Sequence, residues 1–170
     1  MAGNLEFITS ASGSSVSSLS VTDCFSADYD VYEIYVTSYE QSAVADSRFS
    51  LLDSGGSEIT SANYDSCYLA LSSSSAFTEG RQTAQTHFRD FSFSVTNYAY
   101  TIGVKIVMYN PYDSSSYTFT KGQSSVMVDG YGVSSFKAIS VHKSAEQITG
   151  FQIYTNAVSF NATVKVYGVK

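Results

Sequence analysis

Tyr100-Thr101-Ile102-Gly103-Val104-Lys105-Ile106-Val107-Met108-Tyr109 is the stretch whose reading decides the fold. Successive side chains of an extended chain point to opposite faces, so Ile102, Val104, Ile106 and Met108 share one side. Thr101, Gly103 and Lys105 take the other. A helix would throw the same four apolar residues onto opposite sides of its axis, whereas a strand gathers them onto one buried face.

The same period of two recurs on both sides of this segment. In Tyr29 to Ser38 it turns Tyr32, Ile34 and Val36 toward a core and Glu33, Tyr35 and Thr37 away from it. In Asp46 to Asp53 it places Phe49 and Leu51 inward and Arg48 and Ser50 outward. Phe91, Phe93 and Val95 alternate with Ser92 and Ser94. Phe151 and Ile153, then Val164 and Val166, give two closing strands around a turn at Asn156 to Asn161. Fainter strands are expected at Leu5 to Thr9, Val16 to Val21, Cys67 to Leu71, Tyr117 to Thr120, Val126 to Val128 and Phe136 to Val141. Between them, Asp53-Ser54-Gly55-Gly56-Ser57, Asn110-Pro111-Tyr112-Asp113, Lys121-Gly122 and Asp129-Gly130-Tyr131-Gly132 carry turn chemistry. Ser72 to Ser75 followed by Glu79-Gly80-Arg81 reads as a long loop. No amphipathic helix emerges. The expectation is an all-β chain, an antiparallel β-sandwich of jelly-roll type with about eight to ten strands, forming one domain over residues 1–170.

Composition narrows the function classes. Of 170 residues, 44% are apolar and only 14% charged, and the polarity comes mainly from 32 serines and 14 threonines. Nine Lys and Arg against fifteen Asp and Glu give a net charge of −6, which repels phosphate and disfavours nucleic acid. No apolar run reaches the roughly 18 residues of a membrane span. The opening Met1 to Phe7 has neither a basic nor an apolar leader region, so no signal peptide is expected. Cys24 and Cys67 fit no metal or redox spacing and read as core thiols rather than a disulfide pair. Asn161-Ala162-Thr163 matches a glycosylation acceptor by chance alone.

Catalytic chemistry finds little foothold. His87 and His142 are the only histidines, and no G-x-S-x-G elbow accompanies them. Asp23, Asp28 and Asp30 cluster ahead of a strand, but their spacing matches no calcium loop and suits turn chemistry. No glycine loop joins a strand to a helix, as a phosphate site requires. The expectation is a non-enzyme with no cofactor and no metal.

The informative surplus is aromatic. Fourteen tyrosines and eleven phenylalanines are more than a small core needs, and tyrosine's apolar ring and polar tip suit protein interfaces and sugar stacking. Tyr109, Tyr112, Tyr117 and Tyr131 are the candidate contact residues, for a subunit interface or for a glycan. Small hydroxyls around them favour packing against a neighbour, since burying serine costs far less than burying lysine.

Four segments, in order, resemble a jelly-roll family of structural proteins in the virions of tailed phages of marine bacteria. Tyr29-Asp30-Val31-Tyr32-Glu33-Ile34-Tyr35-Val36 resembles its YxxYEIYV strand, and Ile59-Thr60-Ser61-Ala62-Asn63-Tyr64 its ITSANY stretch. Ile106-Val107-Met108-Tyr109-Asn110-Pro111 is similar to its I-x-L-Y-N-P strand end. Ile148-Thr149-Gly150-Phe151-Gln152-Ile153 and Val164-Lys165-Val166-Tyr167-Gly168-Val169 are similar to its closing ITGIRI and GTIKVYGV pair. Ala162 stands where the family has glycine, Thr155-Asn156-Ala157 replaces a more glycine-rich turn, and residues 72–100 match poorly. The resemblance implies a tail-fibre, appendage or capsid-decoration subunit located in the virion. Its partners would be copies of itself (a homotrimer by analogy), other virion proteins and a host-surface glycan. No catalytic residue comes with it. The alternative from another class is a carbohydrate-binding module built on the same four tyrosines.

Overall fold

The computed structural model describes residues 4–43, 45–73, 77–88, 103–128 and 132–170. Within them lie eleven strands: β1 (Leu5–Val16), β2 (Ser18–Val21), β3 (Val31–Gln41), β4 (Ser47–Asp53), β5 (Tyr64–Ser72), β6 (Thr78–Gln85), β7 (Gly103–Tyr109), β8 (Thr118–Val128), β9 (Gly132–His142), β10 (Ile148–Thr155) and β11 (Phe160–Val169). No helix occurs among the described residues. All pairings are antiparallel, in an eight-stranded sheet ordered β1-β11-β3-β7-β8-β9-β5-β6 and a three-stranded sheet ordered β2-β10-β4.

The chain passes from one sheet to the other at β1–β2, β2–β3, β3–β4, β4–β5, β9–β10 and β10–β11, the alternation of a jelly roll. Strands β1-β11-β3-β7 face β2-β10-β4, and Phe88 bridges to Phe49 on the free edge of β4. Two hairpins, β5–β6 and β8–β9, extend the larger sheet past β7, and inward Thr120, Ser124, Ser140 and His142 of β8 and β9 are buried. The strand expected at Phe91 to Val95 lies outside the described residues, as do Tyr100, Thr101 and Ile102.

The core follows the predicted alternation. Val104, Ile106 and Met108 of β7, Tyr32, Ile34 and Val36 of β3, and Val164 and Val166 of β11 meet Phe49 and Leu51 of β4 and Phe151 and Ile153 of β10. Tyr29, Tyr39 and Tyr64, which count toward the aromatic surplus in composition, are core residues too. Their cost in a core is the hydroxyl, and the fold meets it. Tyr39 Oη lies 2.6 Å from Ser47 Oγ, and Tyr64 Oη donates to the Ile59 carbonyl at 2.9 Å.

Five expectations need correcting. Lys121-Gly122 is no turn: β8 runs through it, with Gly122 between Ile106 and Ala138, so two expected strands are one. Glu79-Gly80-Arg81 lies in β6, paired with β5, and not in a loop. Val16 to Val21 is divided at Ser17, where the chain leaves one sheet for the other after Ser15 adopts a φ of 54°. Ser50 is fully buried rather than outward, between the residues of β4, Phe49 and Leu51, to which the backbone of Phe88 and Ile59 bonds. Cys67 is exposed rather than in the core; both cysteines are free thiols.

Candidate interaction surface

The outer face of the eight-stranded sheet is set by register. Opposite each core residue stands an outward one, and cross-strand pairing lines the outward residues into rows. One row runs Leu5, Val169, Val31, Tyr109, Phe119, Val141. The next runs Phe7, Tyr167, Glu33, Val107, Lys121, Ile139, Cys67, Arg81. A solvated antiparallel sheet normally presents polar residues here. Of the eight large exposed hydrophobics among the described residues, six (Leu5, Phe7, Leu69, Phe119, Val133 and Ile139) lie on this face, with Phe7 at 56% and Ile139 at 52% exposure. Large apolar residues exposed together on one sheet face in this way mark a contact site.

The rows are ordered by side-chain pairs across strands. The Tyr167 ring meets Phe7 edge-on at 5.6 Å and Tyr35 at 5.7 Å. Lys105 Nζ donates to Glu33 Oε1 at 2.6 Å and lies 5.4 Å from the Tyr35 ring centroid, while Tyr35 Oη donates to Glu33 Oε2 at 2.5 Å. Partial burial raises the Glu33 pKa, but the Lys105 and Tyr35 bonds outweigh it and hold the carboxyl below its ordinary range. Lys121 sits 5.4 Å over Tyr109. Two open grooves cross the face. One of about 620 Å³ lies between Leu69, Arg81 and Ile139, and one of about 480 Å³ between Tyr35, Lys105 and Gln123.

The sequence-predicted tyrosines divide. Tyr109 is outward on β7, Tyr117 is exposed just before β8, and Tyr112, in the turn between them, packs against the hydrophobic core. Tyr131 lies outside the described residues. Tyr35 is outward, as the alternation of β3 predicts, whereas Phe7, Tyr167, Phe119 and Ile139 are contact residues that the sequence reading misses. Their signal was present as apolar residues at both parities, in Ile106-Val107-Met108-Tyr109 and Val166-Tyr167-Gly168-Val169.

Other chemistry is dispersed. Asp28 Oδ2 accepts the Ser26 hydroxyl at 3.0 Å, and the Asp30 carbonyl accepts the Asn110 N–H at 2.7 Å. Among the described residues no group of three or more His, Cys, Asp or Glu is placed to hold a metal ion. Asn161 is structural: its side-chain oxygen accepts from Ser15 N at 2.9 Å and from Ser14 Oγ at 3.2 Å. His87 lies 6.3 Å from the Tyr154 ring, with Nδ1 3.2 Å from Thr86 Oγ1.

His142 is fully buried on the inner side of β9, and neither ring nitrogen has a hydrogen-bond partner among the described residues. It is paired in register with Tyr64 and Thr118, with Glu146 Oε1 3.7 Å from Nε2. Burial lowers its pKa, and Glu146 only partly opposes that. A depressed histidine pKa means that, below about pH 6.5, the unfolded chain takes a proton which the folded one refuses. Stability should therefore be level above that pH and fall below it, by at most about 1.4 kcal/mol per pH unit for one proton. Urea titrations between pH 7.5 and pH 5 should show the slope in the native protein. They should show it flattened in His142→Phe, which keeps a ring beside Tyr64; an unchanged slope would place the effect elsewhere.

No helix among the described residues is long and apolar enough to cross a membrane. No protein-family model and no curated protein matches this chain.

Proposed function

We propose that this chain is a non-enzymatic structural protein of a phage virion: a jelly-roll subunit of a tail fibre, appendage or capsid decoration. It assembles with copies of itself and with other virion proteins through the outer face of its large sheet. The observation that carries the reading is the run of exposed Leu5, Phe7, Phe119 and Ile139 across that face, where a solitary protein would carry polar groups. The segments that resemble phage jelly rolls support it, because YEIYV, IVMYNP and VKVYGV are β3, β7 and β11, side by side in the same sheet. Tyr35, Tyr109 and Tyr167 of those segments all point to the outer face. A homotrimer is the expected state, and contact with a host-surface glycan falls to loops beyond this face.

Light scattering after size exclusion tests the reading. The native chain should give a multiple of 18.4 kDa at high concentration. Ile139→Asp with Phe119→Asp should return it to 18.4 kDa with its β-sheet circular dichroism intact. A native chain that stays monomeric at every concentration overturns self-assembly.

A further inference from the structure

We propose that the outer face of the eight-stranded sheet receives the acidic loop end of a second copy of this chain, in a head-to-tail contact. The inference rests on the assembly reading above and names its partner surface.

Charge distribution selects the occupant. Five of the nine Lys and Arg residues, namely Arg81, Lys105, Lys121, Lys137 and Lys165, stand outward on this one face, against Glu33, Glu40, Asp65 and Glu79. Two of these carboxylates are already held by a cation, Glu33 by Lys105 at 2.6 Å and Asp65 by Lys143 at 2.7 Å. The rest of the chain holds four cations and eleven carboxylates. An acidic protein thus presents one partly apolar plane on which cations outnumber carboxylates. Two such planes face to face would set lysines against lysines, which opposes a like-with-like dimer.

The complementary surface is at one end of the sandwich. The β2–β3, β7–β8 and β9–β10 loops gather there, tied by Asn110 N to the Asp30 carbonyl at 2.7 Å and Ile148 N to the Pro111 carbonyl at 2.8 Å. Asp23, Asp28, Asp30 and Asp113 are exposed in these loops. Serine bonds hold the Asp113 carboxylate below its ordinary pKa range, so it stays charged at neutral pH. Size agrees as well. Eight strands about 4.8 Å apart, and three outward rows about 7 Å apart, give a plane on the order of 700 Å². A stable interface buries about 800 Å² per partner. Unlike patches joined head to tail close into a ring or run on as a filament, the two forms a fibre or decoration subunit needs.

Sedimentation velocity of the full chain tests the contact with two variants. Lys121→Glu with Lys137→Glu disables the face; Asp23→Asn, Asp28→Asn, Asp30→Asn and Asp113→Asn together disable the end while keeping each side-chain oxygen. The native chain should associate, and weaken about tenfold or more between about 0.05 M and about 0.5 M NaCl. Each variant alone should be monomeric with native circular dichroism. Mixed in equal amounts they should form a dimer that grows no further, since one intact face then meets one intact end. Association that ignores both salt and the Asp→Asn set, yet is lost in Ile139→Asp, overturns the head-to-tail contact and leaves the assembly reading standing. A native chain monomeric throughout removes both.

Discussion

Replacing Tyr64 by alanine should remove about 3–5 kcal/mol of folding stability, and replacing it by phenylalanine about 1–3 kcal/mol. Tyr64 starts β5 in the large sheet, yet its hydroxyl reaches the small one. It donates to the Ile59 carbonyl at 2.9 Å and accepts the Leu51 N–H at 3.3 Å. Ile59 N in turn bonds the Leu51 carbonyl at 2.9 Å, so one phenol fastens β4 and the segment beside it. The ring is fully buried, with Phe88 edge-on at 4.7 Å and His142 at 4.5 Å. Burial pushes the phenol pKa up, so no ionised form offers relief in the neutral range. Alanine loses the ring and leaves a cavity between the layers; phenylalanine loses only the two bonds. For a chain of this length the alanine change corresponds to a fall in Tm on the order of 10 °C. Tyr117→Ala, at an exposed position, should stay within about 0.5 kcal/mol. Thermal and urea melts of the three variants read the contrast, and a Tyr64→Ala protein as stable as Tyr117→Ala would refute the staple.

Tyrosine shows where the sequence was legible and where it was not. Alternation located Tyr32, Ile34 and Val36 on the buried side, since parity within an unbroken strand is geometry. Tyr39 breaks that parity, being inward at an odd position. The cause is the register shift between Thr163 and Val164 of β11, opposite which Thr37 is an extra residue in β3. Such a bulge flips every side chain beyond it, so Tyr39 and Gln41 turn inward. No local signal in β3 announces a shift imposed by its neighbour. β6 escaped for another reason. Its inward Gly80 lies beneath the Tyr68 ring, so the apolar group that fills its place belongs to β5. The outer face was hidden by its own strength, because period-two reasoning looks for contrast between the faces. Tyr167 and Val107 give none. Charge was the signal that could have found it, since lysines 105, 121, 137 and 165 all fall outward once the register is known.

Gly150→Ala should be a severely damaging one-methyl change, costing about 3 kcal/mol or more, at the top of the range for overpacking. Gly150 is buried in β10, opposite Leu52 and beside a register shift. A Cβ there would lie 2.3 Å from the Val21 carbonyl oxygen and 3.1 Å from Thr22 Cα. Both are backbone atoms, so no rotamer change relieves the contact, and β2 must move off β10. That movement strains the Phe151–Val21 pairing and the bonds from Cys24 N and Phe25 N to the Thr149 carbonyl, at 2.9 and 3.2 Å. These hold the corner where the chain turns from β2 toward β3. Gly80→Ala also meets an atom at 2.3 Å, but there it is the half-exposed Tyr68 ring, which can swing aside. Its cost should be about half as large or less, within the same overpacking range. Gly103→Ala meets nothing within 4 Å among the described residues and should be neutral or stabilising by up to about 1 kcal/mol. Chemical denaturation of the three alanine variants should rank them in that order. A Gly150→Ala protein as stable as Gly103→Ala would mean that β2 does not press on β10 and that the corner is held by something else.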